Sequence, residues 1–171
     1  MELDNEFIIR NGKVYKPEVF FALCFLTFGL YAIWWNYRVW RFFKEKEDLN
    51  ILPAARALFS LFFIYSLLSK INAEAVKKGG QKVSYGLYAA FFIITSLFAY
   101  LVGRVFPDSM VIFFFPYYIF LIPSVKQLNF YWESEASEIV PRVMSTGAKI
   151  ALIIGSIFWL LFLAAFISLQ F

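Results

Sequence analysis

Few side chains in this 171-residue chain are of a type and in a place to do chemistry. Histidine, the commonest general base and metal ligand, is missing from the sequence altogether. The one cysteine, Cys24, lies inside an apolar run and reads as a small core hydrophobe. Arg56 is the only charge within an apolar run. It reads either as a snorkelling arginine near a helix start or, with Arg38 and Arg41, as a site for a lipid phosphate at the membrane face. No Asp or Glu falls inside an uncharged run, which argues against proton-coupled transport, since a relay needs a buried carboxylate or histidine. Glu133, Glu135 and Glu138 read as a solvated helix face rather than a cation site, with Glu138 spaced to pair with Arg142. Gly-rich phosphate loops, nucleophile elbows and zinc spacings are lacking. The sequence therefore predicts no catalytic residue, no metal and no cofactor.

What must position these residues is a set of long apolar stretches. Hydrophobic residues make up 61% of the chain and charged ones 16%, well beyond the roughly 45–50% apolar content of soluble proteins. The predicted class is an all-α polytopic membrane protein. Val19 to Tyr37 is uncharged over 19 residues and runs into a zone where Trp34, Trp35, Trp40, Phe42 and Phe43 interleave with Arg38, Arg41, Lys44 and Lys46. Length and composition suit a crossing of the roughly 30 Å hydrocarbon core, and rings followed by cations suit the headgroup level. Trp34, Trp35, Trp40 and Trp132 are the predicted interface anchors.

Three parts follow along the chain. In residues 1–17, Asn11-Gly12 between two short alternating stretches predicts a β-hairpin, and Pro17 suits a helix start. The acidic start, Glu2, Asp4 and Glu6, does not read as a cleavable signal, so the first apolar run is expected to serve as an anchor. Residues 18–78 hold two apolar helices, one from about Glu18 to Asp48 and one restarting at Asn50 and Pro53 and stopped by Gly79-Gly80. The first is expected to bend at the membrane boundary and lie in the interface. The second is ambiguous, because only 13 uncharged residues separate Arg56 from Lys70. Residues 83–171 predict a three-span core: Val83–Gly103, Ser109–Val125 and Ile150–Phe171. Pro116 and Pro123 are read as kinks in the middle one.

The lysines and arginines decide between topologies. Five crossings place ten of them inside and six outside; omitting the second segment gives twelve against four; a re-entrant N-terminal pair gives fifteen against one, leaving only Arg104 outside. The positive-inside rule prefers the last, whereas the length of the first run favours a crossing, so both stay open. All three place the C-terminus outside the cytoplasm. Small residues at four-residue spacing, Gly86/Ala90 and Ala99/Gly103 on one span and Gly147/Ala151/Gly155 on the last, are predicted to carry helix packing, within the chain or between copies.

Thr27-Phe28-Gly29-Leu30-Tyr31-Ala32-Ile33-Trp34-Trp35 resembles a Thr-x-Gly-apolar-Tyr-x-apolar-aromatic-Trp motif in the first apolar segment of small bacterial integral membrane proteins of unknown function. The resemblance covers about 30 residues and implies the bacterial cytoplasmic membrane; it implies no activity. The expected function is non-enzymatic: assembly as a homo-oligomer or as the membrane subunit of a complex. Arg38, Arg41, Lys44, Lys46, Arg56, Lys77 and Lys78 form a basic-aromatic surface for membrane lipids or a partner. The alternative is a homo-oligomeric passive pore lined by the Pro116–Pro123 span and by Ser and Thr hydroxyls. Because the cations flank apolar runs, nucleic acid is not an expected partner.

Overall fold

The computed structural model describes Val14, residues 16–105, 116–135 and 146–168. Every element among these residues is helical: α1 Pro17–Leu26, α2 Leu30–Glu47, α3 Pro53–Leu58, α4 Ser60–Lys77, α5 Tyr85–Val105, a 3-10 helix Tyr117–Leu121, α6 Ile122–Glu135 and α7 Thr146–Ser168. The hairpin predicted around Asn11-Gly12 lies outside the described residues.

The single long first helix expected from the sequence is two helices folded against each other. Phe20 of α1 meets Tyr31 and Trp35 of α2, with ring centroids 6.1 and 5.5 Å away. Fifteen residues of unbroken helix would hold Phe20 and Trp35 about 22 Å apart. The reversal occurs at Thr27-Phe28-Gly29. Gly29 takes a left-handed backbone, φ 83°, and Phe28 joins it at φ 53°. The Gly29 N–H donates 2.7 Å back to the Cys24 carbonyl, closing the end of α1 as glycine does at helix C-termini. Thr27 bridges the two helices: its hydroxyl donates to the Leu23 carbonyl at 2.7 Å and accepts the Tyr31 N–H at 3.0 Å. At 10 residues, α1 is about 15 Å long, half the thickness of a hydrocarbon core.

The second apolar segment also breaks, at Phe59 between α3 and α4. α3 lies against α2. α4 then begins beside Ala32, Ile33 and Asn36 and ends where Lys70 meets Glu47 and Glu74 meets Lys46, so it runs parallel to α2. α5 returns antiparallel along α4, with the Val83 N–H bonded to Asn72 and Phe92 packed on Tyr117. α6 descends against α4, and α7 has α1 as its principal neighbour.

One apolar core joins these helices. Phe20, Leu23, Trp40, Phe43, Ile64 and Leu121 are fully buried in it. Asn72 and Gln127 are buried polar exceptions, and each finds partners. Gln127 donates 2.9 Å to the Asn72 side-chain oxygen and 2.9 Å to the Gln81 carbonyl, while Asn72 also accepts from Val83. This network ties the α4–α5 loop to α6.

The outer surface is a different matter. α5 is long and apolar enough to cross a membrane; Pro17–Leu26 and Gly147–Phe162 are shorter apolar stretches. On α5, Leu87, Ile94 and Leu101 are exposed, and on α7 so are Ile153, Ile154 and Leu160. Past Phe92, α5 continues for 13 residues, and past Gly155 α7 also continues for 13, about 20 Å in each case.

Candidate functional site

Two places collect the residues singled out from the sequence. The first is the charged end of the bundle, where α2, α4 and α6 finish. Lys44 and Lys46 fall in the last turn of α2 and Lys77 in that of α4, where cations suit the helix dipoles. Lys46 and Lys77 both pair with Glu74, Lys70 pairs with Glu47, and Lys78 with Glu135. Arg41 pairs with Glu45 one turn away, at 2.8 Å. Burial pushes the Glu74 carboxyl up, but the Lys46 and Lys77 ammonium groups outweigh it and hold the group below the usual carboxylate range. Burial likewise pulls Lys46 down, and its bonds to Glu74 and Tyr131 reverse this, raising it overall. The Lys46 ammonium lies 4.6 Å from the Tyr131 ring centroid, a cation–π contact.

Arg41, Lys46, Lys77 and Lys78, expected to face lipid or a partner, are therefore engaged within the chain. The local pair expected from sequence, Glu138 with Arg142, lies outside the described residues; Lys46, Lys70 and Lys78 take their carboxylates, Glu74, Glu47 and Glu135, from other helices. Arg56 meets no carboxylate among the described residues. Its guanidinium lies 4.4 Å from the Trp40 ring centroid and 5.1 Å from that of Phe63, held by two aromatic faces.

Of the four tryptophans predicted as interface anchors, Trp34 alone is exposed, tilted against Tyr37. Trp35, Trp40 and Trp132 are buried. The fold-back of α1 covers Trp35, and α6 lays Trp132 edge-on against Phe42. Aromatic residues beside cations look alike in sequence whether they face headgroups or neighbouring helices.

The second place is the α1–α2 turn. A Cβ added at Gly29 would overlap the Tyr117 hydroxyl. Tyr117 can approach this closely because glycine carries no Cβ. Pro116 stands just before the 3-10 helix, and Pro123 is the second residue of α6, which follows Leu121 directly; having no N–H, Pro123 interrupts the hydrogen bonding where 3-10 geometry passes into α. The part of the predicted Ser109–Val125 span before Pro116 lies outside the described residues.

Part of the predicted small-residue set serves contacts inside the chain. A Cβ on Gly155 would come within 2.8 Å of Leu26 in α1, and one on Gly86 within 3.6 Å of Tyr65. Ala99 is buried, Ala151 and Gly103 are half-buried, and Gly147 and Ala90 face outward. Trp159 stacks on Phe25 and Phe28. The hydroxyls of Thr95 and Ser96 donate to the Phe91 and Phe92 carbonyls of their own helix. Asn36, Asn72 and Gln127 are buried polar side chains outside the predicted sites. Of these Asn36 has a signal in the sequence, as the one side-chain amide in the 19-residue uncharged run. Compared with family models, curated proteins and solved structures, the chain matches none.

Proposed function

We propose that this chain is a non-enzymatic, multi-pass protein of the bacterial cytoplasmic membrane that works by assembly, as a homo-oligomer or as the membrane subunit of a complex. The observation that carries this reading is the way α7 is held. It meets the bundle along one narrow seam of Ala148, Ala151, Gly155 and Trp159, and large apolar side chains cover its other faces. Such a helix can recruit a second membrane surface without disturbing its own core, because association in lipid proceeds by close packing and not by escape from water.

In this reading α1–α2 and α3–α4 enter from the cytoplasmic side and turn back near mid-depth, while α5 and α7 cross. Support comes from charge: the ion-paired ends of α2, α4 and α6 lie together, and Arg104, the one outside cation of the re-entrant reading, stands at the far end of α5. Arg10, Lys13 and Arg142 lie outside the described residues. Lys44 and Arg56 then contact anionic headgroups, Arg56 from its aromatic bracket.

Native mass measurement of the purified chain, together with cysteine cross-linking at Ile154 and Leu160 in membranes, tests the assembly reading. A defined oligomer or a stoichiometric complex, cross-linked through these outward positions, is the expected result. A monomer in detergent and in membranes alike, with no cross-link, overturns it.

A further inference from the structure

A cavity of about 330 Å³ lies between the α4–α5 loop and α6, with Gly80, Gln81 and Val83 on the loop side and Pro123, Lys126 and Phe130 on the helix side. Its size falls at the lower end of the roughly 300–1,000 Å³ of small-molecule sites, room for one hydrocarbon chain rather than two. The two walls are fixed relative to each other. Gln127 donates 2.9 Å to the Gln81 carbonyl and 2.9 Å to the Asn72 side chain, which also accepts from the Val83 N–H. Loop and helix therefore cannot close on each other without breaking that network. Phe130 lies hard against the loop: a Cβ on Gly80 would come within 2.8 Å of its ring.

Lys126 supplies the cation among the described lining residues. It is exposed and has no ion pair among the described residues, whereas Lys46, Lys70, Lys77 and Lys78 are each matched to a carboxylate. A smaller neighbouring groove shares Lys126 and Phe130 and adds Lys16 and Glu133, which cancel in formal charge and leave the Lys126 charge over. Asn72 stands five residues before Lys77 in α4, about 8 Å inward of the ion-paired end, and its bond to Gln127 sets the cavity at that depth. In the placement proposed above, this is where headgroups give way to their chains.

We propose that this cavity binds a single-chain carboxylate amphiphile, a long-chain fatty acid. The carboxylate pairs with the Lys126 ammonium, a charge-assisted contact that apolar surroundings strengthen, and the chain lies over Val83, Pro123 and Phe130. An uncharged ester loses the ion pair, and a two-chain phospholipid brings a second chain for which the cavity has no room. The site rests on the membrane setting of the assembly reading but not on its oligomeric state. Photolabelling reads binding in one copy or several, so either proposal can fail alone.

The test uses the full chain in phosphatidylcholine nanodiscs at a pH of about 9, where a carboxylic acid is ionised and lysine is still charged. The probe is palmitic acid bearing a chain diazirine, with its methyl ester for comparison and adducts mapped by peptide mass. The expected result is saturable labelling of peptides 79–83 and 122–130, competed by palmitate and at least about fivefold weaker with the ester. Lys126→Gln reduces labelling about tenfold, Lys126→Arg retains most of it, and Val83→Trp, which fills the cavity, abolishes it. Labelling that excess palmitate does not compete, or that spreads over the outward faces of α5 and α7, overturns the proposal. So do equal labelling by acid and ester and equal competition by phosphatidylglycerol, readouts on the unaltered chain that stand even if a variant fails to fold. Undiminished labelling of a folded Lys126→Gln chain also overturns it.

Discussion

At the scale of single residues, Gly29 has the most specific demand placed on it. Its φ of 83° is a region where a Cβ costs roughly 1–2 kcal/mol, and the added methyl would also overlap the Tyr117 hydroxyl. Gly29→Ala should therefore destabilise the protein by about 2–4 kcal/mol in reversible unfolding in mild detergent. Tyr117→Phe in the same chain should recover part of that loss, because it removes the overlapping oxygen and leaves the backbone strain and a ring carbon 3.0 Å from the new methyl. An Ala variant as stable as wild type would mean that the two helices do not turn at this glycine. Thr27 is the milder case. Thr27→Val keeps the shape but loses the hydroxyl that joins Leu23 and Tyr31, for an expected cost of about 1 kcal/mol by the same measurement.

At the scale of elements, the fold-back of α1 on α2 and the joining of α2 to α4 carry the argument. Cysteines placed singly at Lys46 and Lys78 in a Cys24→Ala chain should react with an impermeant maleimide from the same side of sealed vesicles. Opposite accessibility would restore a full crossing by one of the first two segments. The α2–α4 junction titrates in a defined sense. The Glu74 carboxyl is held low by Lys46 and Lys77, so its contribution is complete above the ordinary carboxylate value near 4.3 and is lost as pH falls through its lower folded value. Lys46 is held high, so its part is complete below about 10.4 and is lost as pH rises through its higher folded value. Thermal melts should show a plateau between these limits, and Glu74→Gln should lower the plateau by on the order of 1 kcal/mol while flattening its acid edge. These elements also show how far the sequence could be read. The apolar stretches, the restart at Pro53 and the stop at Gly79 are composition and helix-end chemistry, and they were legible. The reversal at Thr27–Gly29 was not, because hydropathy along 19 uncharged residues is the same whether the run crosses or turns. Only the left-handed glycine tells the two apart, and a glycine inside a membrane helix is ordinary. The ion-pair partners were hidden for another reason: Lys46 and Glu74 lie 28 positions apart, and no local spacing joins them.

At the scale of the whole molecule, the packing divides the chain unequally. α1, α2, α4, α5, the 3-10 helix and α6 build the core, whereas α7 gives it only Ala148 and is otherwise attached along the seam that Gly155 opens against Leu26. Any side chain at position 155 must push the two backbones apart, since its Cβ alone comes within 2.8 Å of the Leu26 backbone. Gly155→Leu should accordingly lift α7 from α1 and take Trp159 off its stack on Phe25, centroids 4.8 Å apart. The paired end formed by Lys46, Lys70, Glu47 and Glu74 lies on other helices and should stay intact. Trp159 emission would report the first change, compared against a Trp159→Phe chain, and the pH plateau of the melting curve would report the second. If both readouts fail together, α7 belongs to the same cooperative unit as the rest. If the emission changes while the plateau holds, α7 is a separable arm, free to pack on another membrane surface while the remaining helices keep their core.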